Sequence, residues 1–119
     1  MTLLSKQVLL VDPYIDMIEP FMSLLNYYGY EVEATQSAQG ALLIASVRPP
    51  GAIVIELDLH DMDGHEVCKK LRALPQMENC RFVVLTANPK FLTKEVEDCF
   101  DAVLLKPVQI ERLISILEK

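Results

Sequence analysis

Four polar side chains stand where apolar runs stop. Asp12 follows Val8-Leu9-Leu10-Val11, and Glu56 follows Ala52-Ile53-Val54-Ile55. Thr86 follows Phe82-Val83-Val84-Leu85, and Lys106, with Pro107 behind it, follows Ala102-Val103-Leu104-Leu105. Carboxylates attract cations, so an ammonium or a divalent metal can be held beside them. A hydroxyl can donate a hydrogen bond to an oxyanion at the same place. A lysine entering a strand end directly behind three apolar residues needs a partner, and a carboxylate supplies one.

These groups act together only if the chain gathers them. Apolar runs alternate with amphipathic segments along the whole sequence. Residues 8–11, 31–35, 52–55, 81–86 and 102–105 read as strands. Residues 14–28, 37–47, 65–74, 93–98 and 108–118 read as helices. In the first helix Ile15, Ile18, Met22, Leu25 and Tyr28 share one side, Asp16 and Glu19 resemble a capping box, and Gly29 is a stop. Pro20 falls in the early turns. Ser37 caps the second helix, with Ala41, Leu42, Ile44 and Ala45 inward, and Pro49-Pro50 stops it. Val67, Leu71 and Leu74 mark the inner side of the third, which Pro75 ends. The fourth has only Val96 as a central apolar residue. The fifth turns Ile110, Leu113, Ile114 and Leu117 inward. Five βα units imply a parallel sheet with helices on both faces, whose working groups gather at the carboxyl ends of the strands.

The bulk composition agrees. A chain of 119 residues, 51% hydrophobic and 24% charged, fits one domain spanning 1–119. At this length about two-thirds of the unfolded surface is buried, so neither disulfide nor metal is needed for stability. The net charge of −6 argues against a nucleic-acid surface, and Lys69, Lys70 and Arg72 read as a solvated helix face. Cys68, Cys80 and Cys99 form no C-x-x-C pair, which indicates neither zinc site nor redox motif, and suits buried thiols of a reduced, cytoplasmic protein. No signal peptide is expected at residues 1–6 and no membrane span anywhere.

Five segments carry a family resemblance: Val8-Leu9-Leu10-Val11-Asp12, Pro50 through Glu56, Met62-Asp63-Gly64-His65-Glu66-Val67-Cys68, Leu85-Thr86-Ala87, and Leu104-Leu105-Lys106-Pro107. In this order and spacing the chain resembles the receiver domain of two-component response regulators. The resemblance implies a flavodoxin-like (βα)5 fold with strand order 2-1-3-4-5. In that family an aspartate after the third strand accepts a phosphoryl group from a histidine kinase. An acid pair after the first strand holds Mg²⁺, and a threonine and a lysine contact the phosphoryl oxygens. Asp12, Thr86 and Lys106 match their positions, and the Lys106-Pro107 bond is commonly cis in relatives.

Three positions depart from that pattern. Glu56 stands at the phosphoacceptor, Pro13 at the second acid, and Val103 where an aromatic usually swings with the threonine. One methylene moves a carboxylate by more than about an ångström, enough to spoil in-line attack. Glu56 is instead expected to pair with Lys106, with one negative charge against about two for phosphate. The resemblance therefore implies a pseudo-receiver, a binding module rather than an enzyme, with no cofactor and Mg²⁺ binding doubtful. The alternative is a conventional, Mg²⁺-dependent phosphoacceptor. Asp58 stays open as a capping residue, as a metal ligand beside Asp12, or as that phosphoacceptor if the strand slips by two. Asp61 and Asp63 read as turn residues, and His60 and His65 as exposed. Partners are expected to be proteins, a histidine kinase or a downstream signalling protein, meeting residues 90–118, with a homodimer also open. A flavin binder sharing the sheet lacks its glycine-rich loop, since Asp12-Pro13-Tyr14 occupies that place.

Overall fold

The computed structural model describes residues 6–119, so the expectation about the chain's first residues lies largely outside the described part. Ten elements alternate: β1 Gln7–Val11, α1 Ile15–Tyr27, β2 Glu31–Thr35, α2 Ala38–Val47, β3 Ala52–Ile55, α3 Gly64–Arg72, β4 Arg81–Thr86, α4 Lys94–Cys99, β5 Ala102–Leu105 and α5 Ile110–Leu117. Short 3₁₀ turns at Pro75–Met77 and Pro89–Phe91 precede β4 and α4. All strand pairs are parallel, in the order β2-β1-β3-β4-β5.

The central strands are apolar on both faces because both faces are covered. Leu9, Val11, Ile53, Ile55, Phe82 and Val84 point to the layer that holds Ala38, Ala41 and Ala45 of α2, Val67 and Leu71 of α3, and Val96 of α4. Their alternating neighbours Val8, Leu10, Val54, Val83 and Leu85 face Ile18 and Leu25 of α1 and Leu113, Ile116 and Leu117 of α5. Among the described residues no helix is long and apolar enough to cross a membrane.

Helix ends explain where the elements stop. Gly29, at φ 94°, takes the left-handed conformation that favours glycine. The Gly29 amide then donates to Asn26 O and the Tyr30 amide to Leu25 O, closing the last carbonyls of α1. Arg81 donates Nη1 to Ile116 O and Leu117 O, a cation on the carbonyl end of α5.

Several expectations need correction. Asp16 and Glu19 do not form a capping box, because α1 starts at Ile15 with Tyr14 at its cap and Asp16 already inside the first turn. Ile15 and Tyr28 are exposed, since the buried stripe of α1 is narrower than its apolar one. α3 ends at Arg72 rather than Leu74, whose backbone is already extended before Pro75. α5 begins at Ile110 rather than at 108, and it also buries Ile116.

Candidate functional site

The sheet ladder continues one residue past three of the strands. The Asp12 amide donates to Thr35 O at 3.2 Å, the Glu56 amide to Val11 O at 2.9 Å, and the Lys106 amide to Thr86 O at 2.8 Å. These bonds fix the backbone of Asp12, Glu56 and Lys106 at one edge of the sheet, beside Thr86 at the end of β4. Asp12 is 3%, Glu56 4% and Thr86 0% exposed. Gly64 closes the site from below. Its amide donates to Leu57 O, and a Cβ there would lie 2.7 Å from Glu56 O, so only glycine lets α3 start this close to the strand end.

Lys106 Nζ lies 2.7 Å from Asp12 Oδ2 and 3.0 Å from Glu56 Oε1, so one ammonium joins two buried carboxylates. The remaining carboxylate oxygens turn to backbone. Asp12 Oδ1 accepts from the Tyr14 amide at 2.9 Å, which sets the entry into α1. Glu56 Oε2 accepts from the amides of Leu57 at 2.8 Å and Asp58 at 3.3 Å. The extra methylene of glutamate thus lets the side chain curl back over its own loop. Among the described residues no buried side-chain polar atom lacks a partner.

These contacts set the charges. Burial pushes the Glu56 carboxyl up, but the Thr86 hydroxyl, the Lys106 ammonium and the Asp58 amide together outweigh it, and the group titrates below its ordinary range. Burial works against the Lys106 ammonium, yet Asp12 and Glu56 hold its pKa above the usual value. Both partners are ionised at neutral pH.

Some expected groups stand elsewhere. Asp58 is exposed and gives the cleft only its amide, while its backbone bridges to Asp63. Asp63 caps α3 by accepting from the His65 amide. Asp61 does more than turn the chain: its two oxygens accept from the amides of Ala38 and Gln39, tying the loop after β3 to the start of α2. His60 is exposed, and its ring meets Tyr14 edge-on at 6.2 Å. The Tyr14 ring centroid lies 6.0 Å from Lys106 Nζ, so Tyr14 stands at the mouth of the cleft. Composition gave no sign of that pairing. His65 is half-buried rather than exposed, because α3 turns its ring toward Phe100. Lys106-Pro107 is cis.

The donor set does not fit Mg²⁺, which demands near-octahedral oxygen coordination. Pro13 offers no side-chain oxygen, Asp12 has both oxygens engaged, and an ammonium sits between the carboxylates. Among the described residues no three acidic, His or Cys side chains are grouped to hold a metal.

Comparison with known proteins decides the family. The model of the response regulator receiver domain matches residues 8–118. The chain belongs to the response regulator receiver domain family. Its receiver fold superposes on a CheY-like receiver domain from Methylobacillus flagellatus with a TM-score of 0.88 at 35% identity, covering 95% of this chain and 96% of that one. The receiver domain of the sensor histidine kinase PA1611 from Pseudomonas aeruginosa, which holds a magnesium ion in its active-site cleft, gives 0.83 at 25% identity over 95% and 94%. The response regulator MprA of Mycolicibacterium vanbaalenii is 33% identical over 112 residues, 92% of this chain. The chain spans about half the length of such curated relatives, 47% in that case.

Proposed function

We propose that this receiver domain transmits signals through protein contacts without accepting a phosphoryl group in the usual way. It acts as a binding module of two-component signalling rather than as an enzyme. One observation carries the reading: both oxygens of the Glu56 carboxylate are engaged, one by Lys106 and one by the Leu57 and Asp58 amides. Attack on phosphorus needs a free oxygen aimed in line and a cation to offset charge. Glu56 offers no such oxygen, and Asp12 beside Pro13 is a poor metal site. The Lys106 ammonium, which would contact phosphoryl oxygens, is already neutralised.

The partner surface in this reading is residues 90–118, α4, β5 and α5, where Leu105 is an exposed apolar side chain at 46%. The partner is a histidine kinase or a downstream signalling protein. The net charge of −6 speaks against nucleic acid.

Titration with acetyl phosphate or beryllofluoride in the presence of Mg²⁺ tests the proposal. Intact mass is expected to show no phosphoryl adduct, and Tyr14, at the mouth of the cleft, no saturable fluorescence change. A Mg²⁺-dependent, saturable adduct at the cleft would overturn it. Glu56→Asp combined with Pro13→Asp is expected to restore acyl-phosphate formation, whereas Glu56→Asp alone is not.

A further inference from the structure

Away from the cleft, two thiols meet at the seam between α3 and α4. Cys68 Sγ lies 2.9 Å from Cys99 Sγ and 3.6 Å from Cys99 O. Cys68 is 1% exposed, whereas Cys99, the last residue of α4, is half-buried and open to small molecules. Arg72, one turn after Cys68, donates Nε to Cys99 O at 2.7 Å and Nη2 to Asp101 at 3.2 Å. Its guanidinium is a positive charge beside Cys68, which favours that thiolate. Burial, and then the neighbouring Cys99, still push the Cys68 thiol up to about 12. Cys99, the more exposed of the two thiols, is the one that reacts first.

We propose that Cys68 and Cys99 form a dithiol–disulfide switch that reversibly ties α4 to α3. The sulfurs need to close by only about 0.9 Å to reach the roughly 2.05 Å of a disulfide bond. α4 can move that far, because it has six residues and buries only Val96. Cys80 is not part of the pair; its Sγ faces Arg81 O.

The exchange balances with a small-molecule disulfide as oxidant. The Cys99 thiolate attacks one sulfur of oxidised glutathione, whose S–S bond breaks and releases one glutathione thiolate. The Cys68 thiolate then attacks the Cys99 sulfur, forms the Cys68–Cys99 bond and expels the second glutathione. Two electrons pass from the protein dithiol to the glutathione disulfide, and both thiol protons end on the released glutathiones. A reducing dithiol reverses the sequence. α4 belongs to the surface assigned above to partners, so the tether would change what that surface presents. The switch itself stands on the α3–α4 geometry and does not depend on how Glu56 behaves.

The test is to incubate the reduced chain with oxidised glutathione, block free thiols with iodoacetamide and map peptides by mass without reduction. The expected product is a monomer lighter by two hydrogens, with one Cys68–Cys99 cross-linked peptide that dithiothreitol reopens. Cys80→Ser is expected to behave the same, and Cys99→Ser to give no cross-link. An unreacted dithiol, a persistent glutathione adduct on Cys99, a cross-link through Cys80 or an intermolecular dimer overturns the proposal. The wild-type chain alone decides this, whether or not the variants fold. Hydrogen exchange of the α4 amides is expected to slow at least about tenfold on oxidation while α5 stays unchanged; equal rates in both states overturn the tether.

Discussion

The strand-end cleft and the α3–α4 seam both bring reactive side chains together, by opposite means. In the cleft, backbone ladder bonds hold Asp12, Glu56 and Lys106 at the ends of β1, β3 and β5 of one sheet, and each carboxylate oxygen has a partner. In the seam, Cys68 and Cys99 ride on two helices, one of nine residues and one of six, with α4 anchored by a single buried side chain. A site built on strand ends is fixed by the sheet. A site built between a long helix and a slight one keeps room to adjust. The closed, ionised cleft therefore suits a locked state, and the loosely held seam suits a covalent change.

The comparison breaks most sharply at Lys106. Lys106→Met leaves two buried carboxylates without their cation, and loss of one partner of a buried pair costs about 3–5 kcal/mol. Denaturant unfolding at neutral pH is expected to show a loss of that size. The pH dependence sharpens the attribution. Glu56 titrates below its ordinary value of 4.5 when folded. Its contribution is therefore complete above the unfolded value and disappears as pH falls through the lower folded value. The variant has less of that contribution to lose. The stability gap between wild type and Lys106→Met is expected to hold down to about pH 4.5 and to narrow as pH falls further. A gap that stays constant would mean that Lys106 stabilises by packing its stem rather than by charge.

Gly64 couples the two regions, since it both touches the Glu56 carbonyl and starts the helix that carries Cys68. Gly64→Ala would place a methyl 2.7 Å from Glu56 O and 3.0 Å from Leu57 Cα. Both atoms are backbone, so the start of α3 must shift, at a cost of about 1–3 kcal/mol as for other overpacked sites. Thermal unfolding measures the loss. The glutathione reaction measures the coupling: a displaced α3 is expected to slow Cys68–Cys99 closure, while a rate equal to wild type would show the seam to be independent of the strand ends.

The two regions also differ in how far the sequence disclosed them. Each cleft residue directly follows an apolar run, so five βα units were enough to place Asp12, Glu56, Thr86 and Lys106 at one edge. The rotamer of Glu56 was not visible in this way, because its curl onto the Leu57 and Asp58 amides depends on loop geometry that Gly64 permits. The seam was hidden altogether. Cys68 and Cys99 lie 31 positions apart, and their meeting depends on the rotation of two helices about their axes, which packing decides. Asp16 misled for a related reason: its spacing to Glu19 suits a cap, but Tyr14, whose amide donates to Asp12, is the cap instead, and the helix starts two residues earlier.

The smallest effect is expected at Thr93, and it bears most directly on how loosely the seam is held. Thr93 caps α4, its Oγ1 accepting from the Val96 amide at 3.3 Å. Removing such a cap costs about 1 kcal/mol. In a helix with one buried side chain, that loss is expected to appear as local fraying rather than as global unfolding. Thr93→Ala is therefore expected to raise hydrogen exchange of the α4 amides about fivefold, the factor for 1 kcal/mol, while leaving β3 and β4 unchanged. Cys99 is the last residue of that helix, so fraying also widens its distance from Cys68, and disulfide closure slows with it. If the loss spread instead to the strands, α4 would be part of the cooperative core. The contrast between a fixed cleft and an adjustable seam would then fail at its weaker side.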